Sequence, residues 1–244
     1  MNIVITGGTR GIGFGLVKYF LANGHSIAFS GTKQESIDNT VKKLTGDLLG
    51  VVSDVRVYTD IVKLYAEAKE KFGVIDVWIN NAGVDQDRSD VADFKPENVD
   101  KVIDINVKGM INATSYVTSQ MKLVDHGIVY NMEGLGSDGR MINQTILYGS
   151  SKRLLRYFSI GANKELKDTN VFVGRLSPGM VFTDLLLHEL DDEALKIINI
   201  LADDVETVTR YLGKNIEKGK KKIFWLSTLK ILGKFAKAPF KKKK

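Results

Sequence analysis

Cysteine is missing from all 244 residues, which excludes disulfides, thiolate metal ligands and a cysteine nucleophile. Histidine is scarce: His25, His126 and His188 stand far apart with no ligand spacing, so no metal centre is expected. The three prolines, Pro96, Pro178 and Pro239, mark no domain boundary. No apolar run reaches the roughly 18 residues of a spanning helix. The chain opens on Asn2-Ile3-Val4-Ile5, a buried-strand pattern, not on a basic segment followed by an apolar core; a cytoplasmic location is the expectation. Acid is missing from one end. Between Lys218 and Lys244 stand 11 lysines and no aspartate or glutamate, and taking them from the net +6 leaves the other 217 residues at −5. Nucleic acid wrapped over the whole chain is therefore not expected, and any anionic partner is localised to the C-terminus.

What is present is an alternation of short apolar runs with helical patterns. Strands are predicted at Asn2–Thr6, Ser26–Ser30, Leu48–Val52, Val74–Asn80, Gly127–Met132, Asn170–Leu176 and Lys222–Leu226. They are continuous and rich in valine and isoleucine, the pattern of strands covered on both faces. Between them, Ile12, Leu16, Val17, Phe20 and Leu21 form one helical face stopped by Gly24; Ile61, Leu64, Tyr65, Ala68 and Phe72 form another, stopped by Gly73. Glu97–Lys122 carries enough apolar residues for one long central helix. The alternation predicts an α/β fold: a single doubly wound Rossmann domain with a seven-stranded parallel sheet and helices on both faces. Residues 1–226 form its body and 227–244 a basic C-terminal helix and lysine tail of the same domain.

Gly7, Gly11 and Gly13 follow the first strand and open a helix. Glycine lets backbone turn tightly and approach phosphate, while the N–H groups and dipole of the helix start favour an anion. Thr9, Arg10 and Ile12 belong to the same turn. At the end of the second strand, where a carboxylate would select NAD, the chain reads Phe29-Ser30-Gly31-Thr32-Lys33 with no acid before Glu35. Arg10 and Lys33 can pair with a 2′-phosphate and Ser30 and Thr32 can hydrogen-bond it, which favours NADP(H) over NAD(H). Asp54, with Val55 after it, is placed after the third strand to meet adenine. Asn80-Asn81-Ala82-Gly83 ends the fourth strand, where Asn81, Ala82 and Gly83 let backbone pass the adenosine ribose.

Tyr148 and Lys152 are four residues apart and share one face of a helix. A phenol near pKa 10 is a poor acid at neutral pH, and a neighbouring ammonium is expected to lower that value. The pairing of phosphate turn and phenol suits hydride transfer to a carbonyl, with Tyr148 supplying the proton and Lys152 also holding the nicotinamide ribose.

Taken together, Thr6–Gly13, Asp54-Val55, Asn80–Gly83, Asn106 in Asn106-Val107-Lys108-Gly109, Tyr148–Lys152 and Pro178-Gly179 with Thr183 resemble the short-chain dehydrogenase/reductase family over essentially the whole chain. The resemblance implies that Asn106 holds Lys152 through a water in a proton relay. It also implies that Pro178, Gly179 and Thr183 line the nicotinamide end, and that the protein is a homodimer or homotetramer. The family's serine, about 13 residues before the tyrosine, is missing: Gly134 or Leu135 stands there, and Ser137, the nearest hydroxyl, is assigned the catalytic role through an altered loop, the alternative being that another donor replaces it. One oxyanion-type hydrogen bond is at stake, on the order of 3 kcal/mol of barrier. Asn131-Met132-Glu133-Gly134-Leu135-Gly136-Ser137 and Ser177–Leu186 also resemble the chlorophyll b reductase branch, which reduces a formyl group on a large hydrophobic ring.

Beyond Thr183, Leu185, Leu186, Leu187, Leu190, Leu195, Ile197, Ile198, Ile200 and Leu201 either cover an apolar substrate or cover the core. After Ser227, Lys230, Lys234, Lys237 and Lys241 recur at helical spacing, with Leu229, Leu232, Phe235 and Ala236 on other faces, and Pro239 interrupts the pattern. Such a helix docks on the body or a subunit, the preferred reading because its apolar face is short, or contacts an anionic membrane or an acidic protein. The substrate is a small-molecule carbonyl or alcohol. The alternatives are a 3-oxoacyl-carrier-protein ketoreductase and a nucleotide-binding sensor or scaffold with little turnover.

Overall fold

A computed structural model describes residues 1–187 and 192–237; His188, Leu190, Pro239 and the last four lysines lie outside the described residues. Seven strands form one parallel sheet in the order β3-β2-β1-β4-β5-β6-β7. They are β1 (Asn2–Ile5), β2 (Ser26–Gly31), β3 (Leu48–Val52), β4 (Val77–Asn80), β5 (Gly127–Met132), β6 (Val171–Ser177) and β7 (Lys222–Phe224). The helices are α1 (Gly11–Ala22), α2 (Gln34–Val41), α3 (Tyr58–Phe72), α4 (Pro96–Ile103), α5 (Met110–Lys122), α6 (Ile146–Glu165), α7 (Asp192–Leu201), α8 (Val205–Ile216) and α9 (Thr228–Lys237).

Successive strand residues point to opposite faces, and β1 shows the consequence. Ile3 and Ile5 enter one layer with Leu16, Val17 and Phe20 of α1 and Val208, Leu212 and Ile216 of α8. Val4 enters the other, with Leu64 and Ala68 of α3, Val117 and Met121 of α5, and Trp78. Both layers are closed to solvent. Because β1 pairs with β2 on one side and β4 on the other, the crossovers diverge there and open a crevice at the carboxyl ends of the strands.

Several boundaries differ from expectation: β1 ends at Ile5 rather than Thr6, β2 runs on to Gly31, and β6 spans Val171–Ser177 rather than Asn170–Leu176. β4 begins at Val77, not Val74; Asp76 just before it bonds both neighbouring strands through its backbone, while its carboxylate caps the Asn2 N–H (2.7 Å) and meets His126 (2.8 Å). β7 ends at Phe224, where Trp225 turns its indole to Asp203. The stretch Glu97–Lys122 is broken by a π-helical segment, Asp104–Gly109, between α4 and α5. A bulge of this kind re-aims one side chain within a helix, and the buried Asn106 sits in it.

Candidate active site

A cleft of about 900 Å³ lies over the carboxyl ends of the strands. At its floor, Gly7 (φ +66°) and Gly11 (φ +54°) take left-handed backbone, and Gly13 lies so close to the Gly7 carbonyl and the Asn81 amide that any side chain would overlap them. Only glycine fits these positions. Asn81 staples the turn to the end of β4, donating to the carbonyls of Thr6 and Gly7 at 3.0 Å each. Thr6 Oγ1 in turn accepts from the backbone of Asn81 and Ala82. Thr9, Arg10, Gly11, Ile12 and Gly13 line the cleft at the start of α1, where helix dipole and N–H groups favour an anion. This cradle fits a dinucleotide pyrophosphate.

The remaining nucleotide candidates divide. Thr32, Asp54, Val55, Ala82 and Gly83 line the cleft, and so do Pro178, Gly179 and Thr183. Thr183 closes on Gly11. Lys33 is exposed at the start of α2 and is not part of the cleft lining. Ser30 is buried with its hydroxyl accepting from the Gly7 N–H at 3.3 Å, so it supports the turn. Asp54 is held by Arg56 at 2.6 Å, and that hydrogen bond lowers its carboxyl pKa.

Tyr148 and Lys152 lie on α6 in the cleft wall. Lys152 is only 4% exposed; its Nζ donates to the Met132 carbonyl at 3.4 Å and lies 5.6 Å from the centre of the Tyr148 ring. Burial lowers its pKa from 10.5 to about 8. Burial also raises the Tyr148 hydroxyl above the ordinary tyrosine value, with the Asp85 carboxylate adding to the rise and Arg88 opposing it. This corrects the expected lowering. The ammonium lies over the ring, and desolvation is the largest influence on the hydroxyl.

Asn106 uses both ends of its amide on Val84, accepting from its N–H and donating to its carbonyl at 2.9 Å, with a weaker 3.3 Å contact to Ser151 Oγ. It thereby fixes the 84–88 loop beside the pair. Ser137 is buried in a turn: its hydroxyl donates to the Gly134 carbonyl at 2.6 Å and accepts from the Gly134 N–H at 3.0 Å. Its one proton is committed there. Gly134 itself faces Tyr148, and a Cβ there would overlap the phenolic oxygen.

Several site residues fall outside the quoted motifs, or stand inside them with no role assigned. Gln86 is fully buried and accepts the Tyr148 N–H at 2.7 Å. Asp85 and Arg88 pair at 2.8 Å in the cleft. Glu133 lines the cleft and pairs with buried Arg175 at 2.9 Å; burial raises its carboxyl pKa against the pull of that arginine. Asn80, Asn131, Thr114 and Ser159 form a buried network joining β4, β5, α5 and α6. Asn131, polar inside an apolar strand run, was a readable signal that a buried partner was needed.

The short chain dehydrogenase family profile matches residues 1–194. The chain belongs to that family. Membership makes it an NAD(P)-dependent oxidoreductase by class. It is 34% identical to probable chlorophyll(ide) b reductase NYC1 of Arabidopsis thaliana over 86% of this chain and 47% of that protein. To chlorophyll(ide) b reductase NOL of Oryza sativa it is 36% identical over 88% of this chain and 66% of that protein. The chain thus spans about half to two thirds of the length of these relatives. The fold matches the closed form of serine dehydrogenase complexed with NADP+, with a TM-score of 0.81 at 24% identity over 93% of this chain and 95% of the other. The reductases of both plants are named as chloroplastic. That overturns the cytoplasmic expectation, which rested on how the chain opens and on the lack of a long apolar run; neither property specifies a compartment. No described helix is long and apolar enough to cross a membrane, and the described residues hold no cluster of metal-ligating side chains.

Proposed function

We propose that the protein is an NADPH-dependent reductase of a carbonyl on an apolar small molecule, with Tyr148 as the proton donor. The observation that carries this reading is the position of Tyr148 and Lys152 in the same cleft as the glycine turn. When bound, the nicotinamide supplies the hydride. Tyr148 gives its hydroxyl proton to the substrate oxygen as charge develops there; with its pKa raised by burial, it is protonated at neutral pH, the state reduction requires. Lys152 stabilises the phenolate left behind and holds the nicotinamide ribose. Asn106 fixes the loop that packs against both.

Support for NADP rests on the lack of a carboxylate at the end of β2 and on Arg10 and Thr32 at the cleft. Support for an apolar substrate rests on Leu185, Leu186, Ile197, Ile198 and Leu201, which line the far wall. Similarity to chlorophyll(ide) b reductases makes a carbonyl on a large apolar ring the first substrate to try. A homodimer or homotetramer is carried over from family likeness.

A sensor with little turnover is favoured by one observation, that neither Gly134 nor Ser137 offers a free hydroxyl proton beside Tyr148. NADPH oxidation over a panel of apolar aldehydes and ketones separates the two readings. We expect turnover with the wild type and a loss of about 10²–10⁴-fold in Tyr148→Phe, with NADPH affinity retained. Undiminished turnover in that variant would remove Tyr148 from its role, and none in the wild type would leave the sensor.

A further inference from the structure

The C-terminal helix is inside out. Two of its lysines face the body: Lys234 pairs with Asp203 at 2.6 Å, and Lys230 lies over the indole of Trp225, which itself donates to Asp203. Its outward face consists of Leu229, Leu232, Gly233, Phe235 and Ala236, all exposed, with Leu229 at 83%, Leu232 at 61% and Phe235 at 44%. Among the described side chains of α9, no charged residue interrupts that face. An ordinary surface helix does the reverse, burying its apolar stripe and exposing its charges.

We propose that this face of α9 is a docking surface for an anionic lipid bilayer. The occupant is argued from charge and from position. Lysines 218, 220, 221 and 222 precede the helix, others follow it, and the whole stretch from 218 to 244 has no acid. A second copy of the chain on a two-fold axis would lay one lysine run against the other. An acidic headgroup layer complements the lysines while its acyl boundary takes up the leucines and the phenylalanine. Position agrees. α9 packs on α7, Asp203 bridges to Val181 in the cleft wall, and Ile197 of α7 and Leu226 ahead of α9 line the cleft. Leu195 and Ile197 of α7 are exposed, and so is Phe182, whose N–H donates to the Asp203 carbonyl. With α7 contacting α9 and lining the cleft through Ile197, docking of this face would bring the cleft near the bilayer, so that a lipophilic substrate enters from the membrane instead of crossing water.

Cosedimentation of the full chain with vesicles tests this, using phosphatidylcholine alone and phosphatidylcholine mixed with phosphatidylglycerol at physiological ionic strength. Binding to the mixed vesicles only is expected. The double variant Leu229→Asp/Leu232→Asp should lower the partition coefficient on the order of tenfold or more, with its melting midpoint unchanged because both side chains are exposed. Failure of the wild type to bind mixed vesicles overturns the proposal. So does equal binding by the double variant, which would assign the effect to lysines alone, or a concentration-dependent oligomer that the double variant dissolves, which would assign the face to a second copy. The vesicle measurement needs no turnover, so it stands apart from the reductase reading.

Discussion

Lys152 illustrates how one residue can be costly to the fold and yet serve the proposed chemistry. Its ammonium is carried into the protein with one carbonyl contact, and desolvation pulls its pKa from 10.5 to about 8. Below about pH 8 both folded and unfolded chains hold the proton, so the penalty for burying the charge is full and constant. Between about 8 and 10.5 the unfolded chain holds more protons than the folded one, so stability rises with pH. Lys152→Met removes both the cost and the pH dependence. We expect it to stabilise the cofactor-free protein at pH 7 by about 1–3 kcal/mol, to lose this advantage by pH 10, and to abolish turnover. Denaturant unfolding across that range measures it; a destabilised variant at pH 7 would contradict the burial cost. Gly134 makes the complementary point at this scale, because the space of its missing side chain is taken by the Tyr148 hydroxyl.

Among the elements, the β1–α1 turn and the α6 helix carry the site, and each is held by contacts from distant sequence. The turn depends on Asn81 from the end of β4, and α6 on Gln86 and on the Asn131–Ser159 bond. Gly13→Ala places a methyl against the Gly7 carbonyl and the Asn81 amide, backbone and staple that cannot retreat without opening the turn. The expected cost is about 2–3 kcal/mol of stability, together with loss of NADPH binding. Calorimetry and fluorescence titration check the two separately; a variant with wild-type affinity would show that the turn does not cradle the phosphates. The α4–α5 stretch shows where periodicity misleads. Its apolar pattern reads as one helix, yet the backbone bulges at Asp104–Gly109 so that Asn106 can clamp Val84. Nothing in the local spacing encodes that bulge.

For the whole molecule, a ligand that binds only the folded chain stabilises all of it by mass action. Saturation at about 100 times Kd contributes about 2.7 kcal/mol, which in a chain of this size shifts the melting midpoint by roughly 5–10 °C. NADPH is expected to give that shift and NADH at equal concentration a clearly smaller one. Arg10→Ala should erase most of the difference, since Arg10 is 76% exposed at the cleft and holds Asp184 only loosely, at 3.7 Å. Equal shifts with both cofactors would remove the NADP preference. At this scale the sequence was easiest to read. The order of apolar runs and helical faces is the order of strands and helices, because a parallel strand covered on both faces must be apolar throughout. Strand ends slipped by a residue or a few, and Glu97–Lys122 broke into two helices, because an element's end depends on partners that the local pattern does not name.

Composition, strand–helix alternation and the spacing of a few glycines, Tyr148 and Lys152 are local properties, and they were enough to specify the sheet, the phosphate turn and the phenol–ammonium pair. Tertiary structure alone decided the electrostatics and the outward surfaces. Whether Tyr148 is pulled down by an ammonium or pushed up by burial depends on where Nζ points. Whether Ser137 has a proton to give depends on a turn closing on itself. Which face of α9 meets solvent depends on Asp203 and Trp225 capturing its lysines. Each is settled by desolvation and by partners brought together from far along the chain, and helical or strand period carries no information about either.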